Sequence, residues 1–188
     1  LILLAIAMPI AFSTWVALLN NFVIEVSGFS GVEIGWLQSV REVPGFLAVC
    51  VIFILFLISE QRLAYISLTL LALAVAVTAI FPTFKGLIFT TLISSIGFHY
   101  YETVNQSLQL QWLKKETAPS SIGWIVAAGS GSAFFVYIAI IILWLNLNFN
   151  YFFIYFFAGL LCLLIVAFCF FYYPQFQIGK KQKLSIVI

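Results

Sequence analysis

The chain has 188 residues, of which 64% are hydrophobic and 7% are charged, with no Asp and a net charge of +2. A soluble domain carries charge on roughly a quarter of its residues, so this composition excludes one and calls for a surface that faces lipid. The small net charge gives no basis for a nucleic-acid partner, so the partner expected from composition is the lipid bilayer.

Crossing roughly 30 Å of hydrocarbon takes about 20 apolar residues, and the backbone there must pair within a helix or a closed barrel. The apolar runs here are long and continuous rather than alternating, which predicts helices. The first covers 1–24 and closes at Asn20, Asn21 and Glu25. The second covers 33–58 behind a turn at Gly28 and Gly31, and the third covers 62–81 and stops at Pro82. The fourth, 86–111, ends before Lys114 and Lys115. The fifth, 121–145, starts behind Pro119, and the sixth, 151–173, closes at Pro174. Trp36, Trp112, Trp144, Tyr172 and Tyr173 fall near span ends, where amphipathic rings favour the membrane interface. Residues 1–173 thus form one six-helix bundle, and 174–188 a basic loop.

Orientation follows from Lys and Arg in short loops. Arg62, Lys114, Lys115, Lys180, Lys181 and Lys183 share one side, against Lys85 on the other. Both termini are therefore expected in the cytoplasm, in a bacterial inner membrane or a plasma membrane. The start at Leu1 and the apolar run Leu184 to Ile188 lead us to expect a fragment of a longer polytopic protein. Cys50, Cys162 and Cys169 lie in apolar runs without a CxxC spacing and read as packing thiols.

The six spans are unequal. The third and sixth are nearly featureless and read as lipid-facing. The fifth carries Ala127-Ala128-Gly129-Ser130-Gly131-Ser132-Ala133, small residues that let helices approach closely. The fourth holds most of the polarity. Ser95, His99, Glu102, Gln106 and Gln109 step by four, three, four and three, which sets them on one helical stripe. Such a stripe faces protein or a water-filled cavity rather than lipid. Asn105 and Tyr101 lie beside it. The second span carries Arg41 and Glu42 one or two turns below the outer interface, read either as a snorkelling pair or as a gate. On the first span, Trp15, Asn20 and Asn21 are further cavity candidates.

Ile34-Gly35-Trp36-Leu37 opens the second span and Ile122-Gly123-Trp124-Ile125 the fifth, at an offset of 88 that also aligns Phe46 with Phe134 and Ile52 with Ile140. Each copy begins the middle helix of a group of three, and the two run in opposite senses. This predicts a 3+3 inverted repeat, a plan used by secondary transporters.

With six spans, a following basic loop and the stretch Gly31-Val32-Glu33-Ile34-Gly35-Trp36-Leu37-Gln38-Ser39-Val40, the chain resembles the amino-terminal six-helix half of a major facilitator superfamily transporter. Between the second and third helices it keeps Glu60 and Arg62 of that family's signature, without the glycines. The resemblance implies an all-α membrane fold, half of a twelve-helix transporter, with a covalently continuous second half. It implies that helices one and four line a central cavity, two and five meet the other half, and three and six face lipid. Transport of a small solute by alternating access is then expected, with a proton as the candidate coupling ion.

In that scheme Glu102 is the proton-coupling or substrate-binding carboxylate and His99 shares its proton. Gln106, Gln109 and Asn105 bind polar groups of the solute. A six-span channel or structural subunit is the alternative. An intramembrane serine enzyme fits poorly, because the only His is His99, in the span before Ser130 and Ser132. A Gly-rich phosphate loop fails for want of a following Lys-Ser or Lys-Thr. One His and no Asp give no zinc site, and no cofactor is expected.

Overall fold

A computed structural model describes residues 1–174, and the basic stretch with Lys180, Lys181 and Lys183 lies outside them. The described chain is all helical: α1 (Ile2–Glu25), α2 (Gly31–Leu55), α3 (Glu60–Ile80), α4 (Phe84–Trp112), α5 (Ala118–Leu147) and α6 (Tyr151–Tyr172). Each end falls within three residues of the span predicted for it. Five of the six are long and apolar enough to cross a membrane, which is consistent with an integral membrane protein. The exception is α4, whose 29 residues are long enough but carry the polar stripe.

Short polar loops start most of these helices. Ser30 and Glu33 form a reciprocal capping box at α2. Thr83 accepts from the Gly86 amide at 3.2 Å to start α4, and Asn150 accepts from the Phe153 amide at 3.1 Å to start α6. Such side chains satisfy amides that a helix leaves without partners at its first turn. Inside α2, Pro44 and Gly45 precede a tighter turn at Leu47–Cys50, the expected effect of a proline that interrupts the helical ladder.

Cross-links at the ends show an up-and-down bundle. Gln38 donates to Asn20 at 3.3 Å and Tyr151 donates to Glu25 at 2.6 Å, gathering the end of α1 with the starts of α2 and α6. At the opposite end Gln111 of α4 donates to Glu60 of α3 at 2.8 Å, and Gln61 donates to the Pro174 carbonyl at 3.2 Å. Arg62, Lys114 and Lys115 belong to this second end, called the basic end below.

Between the ends, α3 packs on α4 and α6, α1 packs on α6 and α5, and α2 leans chiefly on α4. The third helix is therefore the hub, with Leu63, Ala64, Leu68, Leu71, Ala72 and Val75 all buried. That corrects the reading of α3 as lipid-facing. Apolarity cannot separate a core helix from a lipid-facing one, because lipid tails are as apolar as Leu. Residue size separates them better: α3 has small residues at Ala64, Ser67, Ala72 and Ala76, and its neighbours bring glycines. A Cβ on Gly97 of α4 would lie 2.5 Å from the Ser67 carbonyl oxygen, and one on Gly159 of α6 would press on the Ala72 carbonyl oxygen.

The sixth helix is two-faced. Tyr151, Ile154, Tyr155, Gly159, Cys162, Val166 and Cys169 are buried along one stripe, while its bulky Phe residues are largely exposed. The small-residue half of α5 does meet α1, where Ser132 donates to the Ile6 carbonyl at 3.0 Å. The rest of α5 is uncovered, and Ile125 is its one buried residue among those described. The small-residue segment 127–133, expected to be buried by close packing, meets α1 along one stripe, but its residues are half-buried or exposed.

Candidate functional site

The polarity of α4 divides into spent and unspent groups. Thr90 donates to the Gly86 carbonyl at 3.1 Å, Ser94 to Thr91 at 3.0 Å and Thr103 to His99 at 2.9 Å. These hydroxyls are satisfied by their own helix and need no partner elsewhere. The side chains of Glu102, Gln106 and Gln109 make no hydrogen bond or ion pair among the described residues. The Tyr101 hydroxyl and the Asn105 side-chain oxygen are buried and without partners. Buried polar atoms are usually paired, so this cluster calls for an explanation.

These five residues border a cleft of about 510 Å³ between α1, α4 and α5, within the roughly 300–1,000 Å³ typical of small-molecule sites. Helix α1 contributes Ala5, Met8, Pro9, Phe12 and Ser13, and α5 contributes Ile125, Gly129, Ser130 and Ala133. The cleft exists because α1 and α4 touch only lightly, each being drawn aside by its own neighbours. The residues of α1 and α5 lie near the helix starts and those of α4 toward its end, so the cleft occupies the basic half of the bundle. At its deep end Phe12 and Phe98 stack with centroids 3.8 Å apart and planes 9° apart. No Lys or Arg lines it, and Glu102 is its one charged side chain.

The upper part of the stripe points elsewhere. Ser95 donates to the Arg41 carbonyl of α2. His99 lies against Gly45, where an added Cβ would sit 3.0 Å from the imidazole. Helix α2 thus covers the stripe from Ser95 to His99 and leaves it open from Glu102 onward, so His99 packs against α2 and is not in the cleft lining.

The remaining candidates scatter. Arg41 pairs with its own neighbour Glu42 at 2.8 Å, both side chains partly exposed. Trp15 is buried below the cleft's aromatic end, its indole N–H without a partner. Asn20 accepts from Gln38, and Asn21 opens into a second cleft at the far end of α1. Ser13 and Ser130 are cleft residues that sequence reasoning did not select. Ala5, Pro9 and Ser13 recur at four-residue spacing, a small-residue stripe on α1 that marks its cleft face.

Comparison of the chain with protein families, with curated proteins and with solved structures yields no match.

Proposed function

We propose that the chain is half of a secondary transporter of a small solute, working by alternating access in a membrane and related to the major facilitator superfamily. The observation that carries this reading is the cleft itself: one carboxylate, three amide side chains and a phenol, their polar atoms largely unspent, held at membrane depth between three helices. Intramembrane polar groups of that kind mark solute or ion pathways. Glu102 is the proton- or solute-binding carboxylate, with Asn105, Gln106, Gln109 and Tyr101 as hydrogen-bonding partners of the solute.

A 3+3 inverted repeat supports the same reading. Exchanging α1, α2 and α3 with α4, α5 and α6 turns the α1–α5 contact into α4–α2 and the α1–α6 contact into α4–α3, and both occur. The aligned positions agree in environment as well. Trp36 and Trp124 are 60% and 69% exposed, whereas Leu37 and Ile125, one residue on, are 1% and 5% exposed. Helices α2 and α5, the least buried of the spans, are the surfaces for a second six-helix half. The basic end is then cytoplasmic.

The reading is tested by reconstituting the complete protein in proteoliposomes loaded with a pH-sensitive dye. A panel of amines, sugars and amino acids is presented under an imposed pH gradient. Solute-dependent, saturable proton movement is expected for at least one compound. Flux that stays linear with concentration points to a channel instead, and no flux with any compound to a structural subunit.

A further inference from the structure

The crease between α1 and α5 does not stop at the cleft of Glu102. It continues turn by turn, from Ser13 to Ala17, Asn21 and Glu25 on α1, and from Ala133 to Tyr137, Ile141 and Leu145 on α5. At the end opposite the basic one it opens into a second cleft of about 480 Å³, also bordered by Trp144 and Tyr151. We propose that this second cleft is a binding site for an organic ammonium cation, held by the Glu25 carboxylate and the rings of Tyr137, Trp144 and Tyr151.

The charge supports a cation. Glu25 receives one hydrogen bond, from the Tyr151 hydroxyl at 2.6 Å. The one ion pair among the described residues is Arg41–Glu42, so none of the described cations pairs with Glu25. No Lys or Arg lines the cleft, which disfavours an anion. The walls favour an organic ion over a metal. A hard divalent ion asks for about six or more oxygen ligands, whereas Ile140, Ile141 and Leu145 fill much of this lining. Aromatic faces attract ammonium groups through their negative quadrupole.

The rings are also held in place. Trp144 meets Tyr151 edge to face at 4.8 Å, and Tyr151 is backed by Phe22 at 5.3 Å. The Tyr151 hydroxyl steadies one carboxylate oxygen and leaves the other for a ligand. The proposal is independent of transport: it is a statement about binding and stands even where no solute crosses.

The test is calorimetric titration of the intact chain in lipid nanodiscs with tetraethylammonium, and with benzenesulfonate as the anionic control. Saturable binding of the cation alone is expected. Glu25→Gln keeps an acceptor for Tyr151 and so keeps the helix cross-link, yet it should weaken the cation at least about tenfold, as should Trp144→Leu. Glu116→Gln, in the loop between α4 and α5 at the basic end, should leave the affinity within about twofold of the original. Affinity lower in phosphatidylcholine than in discs of uncharged digalactosyldiacylglycerol identifies a choline headgroup as the resident ligand, and equal affinity identifies a free solute; either outcome upholds the cation site. The proposal is overturned by wild-type protein that does not bind tetraethylammonium, or by Glu25→Gln and Trp144→Leu proteins that bind it as tightly as the original.

Discussion

Replacing Gly97 or Gly159 with alanine should cost about 3 kcal/mol of stability or more, at the upper end for overpacking a close contact. Both glycines bring a neighbouring backbone onto α3. The added methyl at Gly97 would lie 2.5 Å from the Ser67 carbonyl oxygen and 2.6 Å from the Leu71 amide nitrogen. At Gly159 it would press on the Ala72 carbonyl oxygen and lie 2.6 Å from the Ala76 side chain. These obstacles are chiefly helix backbone, which cannot turn aside as a flexible side chain would. Relief requires α4 or α6 to move away from α3, which loosens the central contacts of the bundle. Gly123 and Gly131 provide the control, since nothing lies within 4 Å of a Cβ at either. Alanine there should be neutral or stabilising by up to about 1 kcal/mol, the helix-propensity gain. Thermal unfolding in detergent micelles separates the two pairs: low midpoints or no folded protein for Gly97 and Gly159, unchanged or raised midpoints for Gly123 and Gly131.

Glu102→Gln should lower coupled uptake at least about tenfold, whereas His99→Gln should lower it by less than about threefold, because only the first removes a charge from the cleft. The two residues are one helical turn apart and share a stripe, so sequence spacing assigns them the same role. Packing gives them different surroundings. His99 lies on Gly45 beside the break in α2, and its loss mainly loosens that seat. Glu102 borders the open cleft with no protein cation beside it, so its charge is available to a proton or a solute. Glutamine keeps the size and the acceptor oxygen, which makes the comparison one of charge. Initial rates measured with the substrate found in the proteoliposome panel, with protein amounts matched, provide the comparison. Equal losses for the two variants would return His99 to the coupling site.

Six helices were legible because a membrane span announces itself by length and apolarity, and because Gly28, Gly31, Pro82, Pro119 and Pro174 punctuate the gaps. The open part of the polar stripe was legible for a related reason: Glu102, Gln106 and Gln109 cannot all be turned to lipid. What periodicity could not reveal is where a neighbour ends. Helix α2 covers Ser95 and His99 and then diverges, and nothing in the spacing of α4 marks that point. Nor could apolarity rank α3 as the hub, since Leu68 facing a helix and Leu164 exposed on the outside of the bundle are chemically alike. The better signal was small residues opposite glycines, Ser67 with Gly97 and Ala72 with Gly159. The pairing of Glu25 with Tyr151 spans 126 positions, a contact that only the folded bundle brings about.

The central claim is that the face of α4 beyond His99 borders an aqueous cleft and not a packed contact. Its most direct test is thiol labelling in membranes, in a chain whose Cys50, Cys162 and Cys169 are replaced by alanine. A membrane-impermeant maleimide should react with Gln106→Cys from the side of the basic loops and should leave Leu164→Cys, on the lipid face of α6, unmodified. A Gln106→Cys protein that labels from neither side, or no faster than Leu164→Cys, would contradict the account.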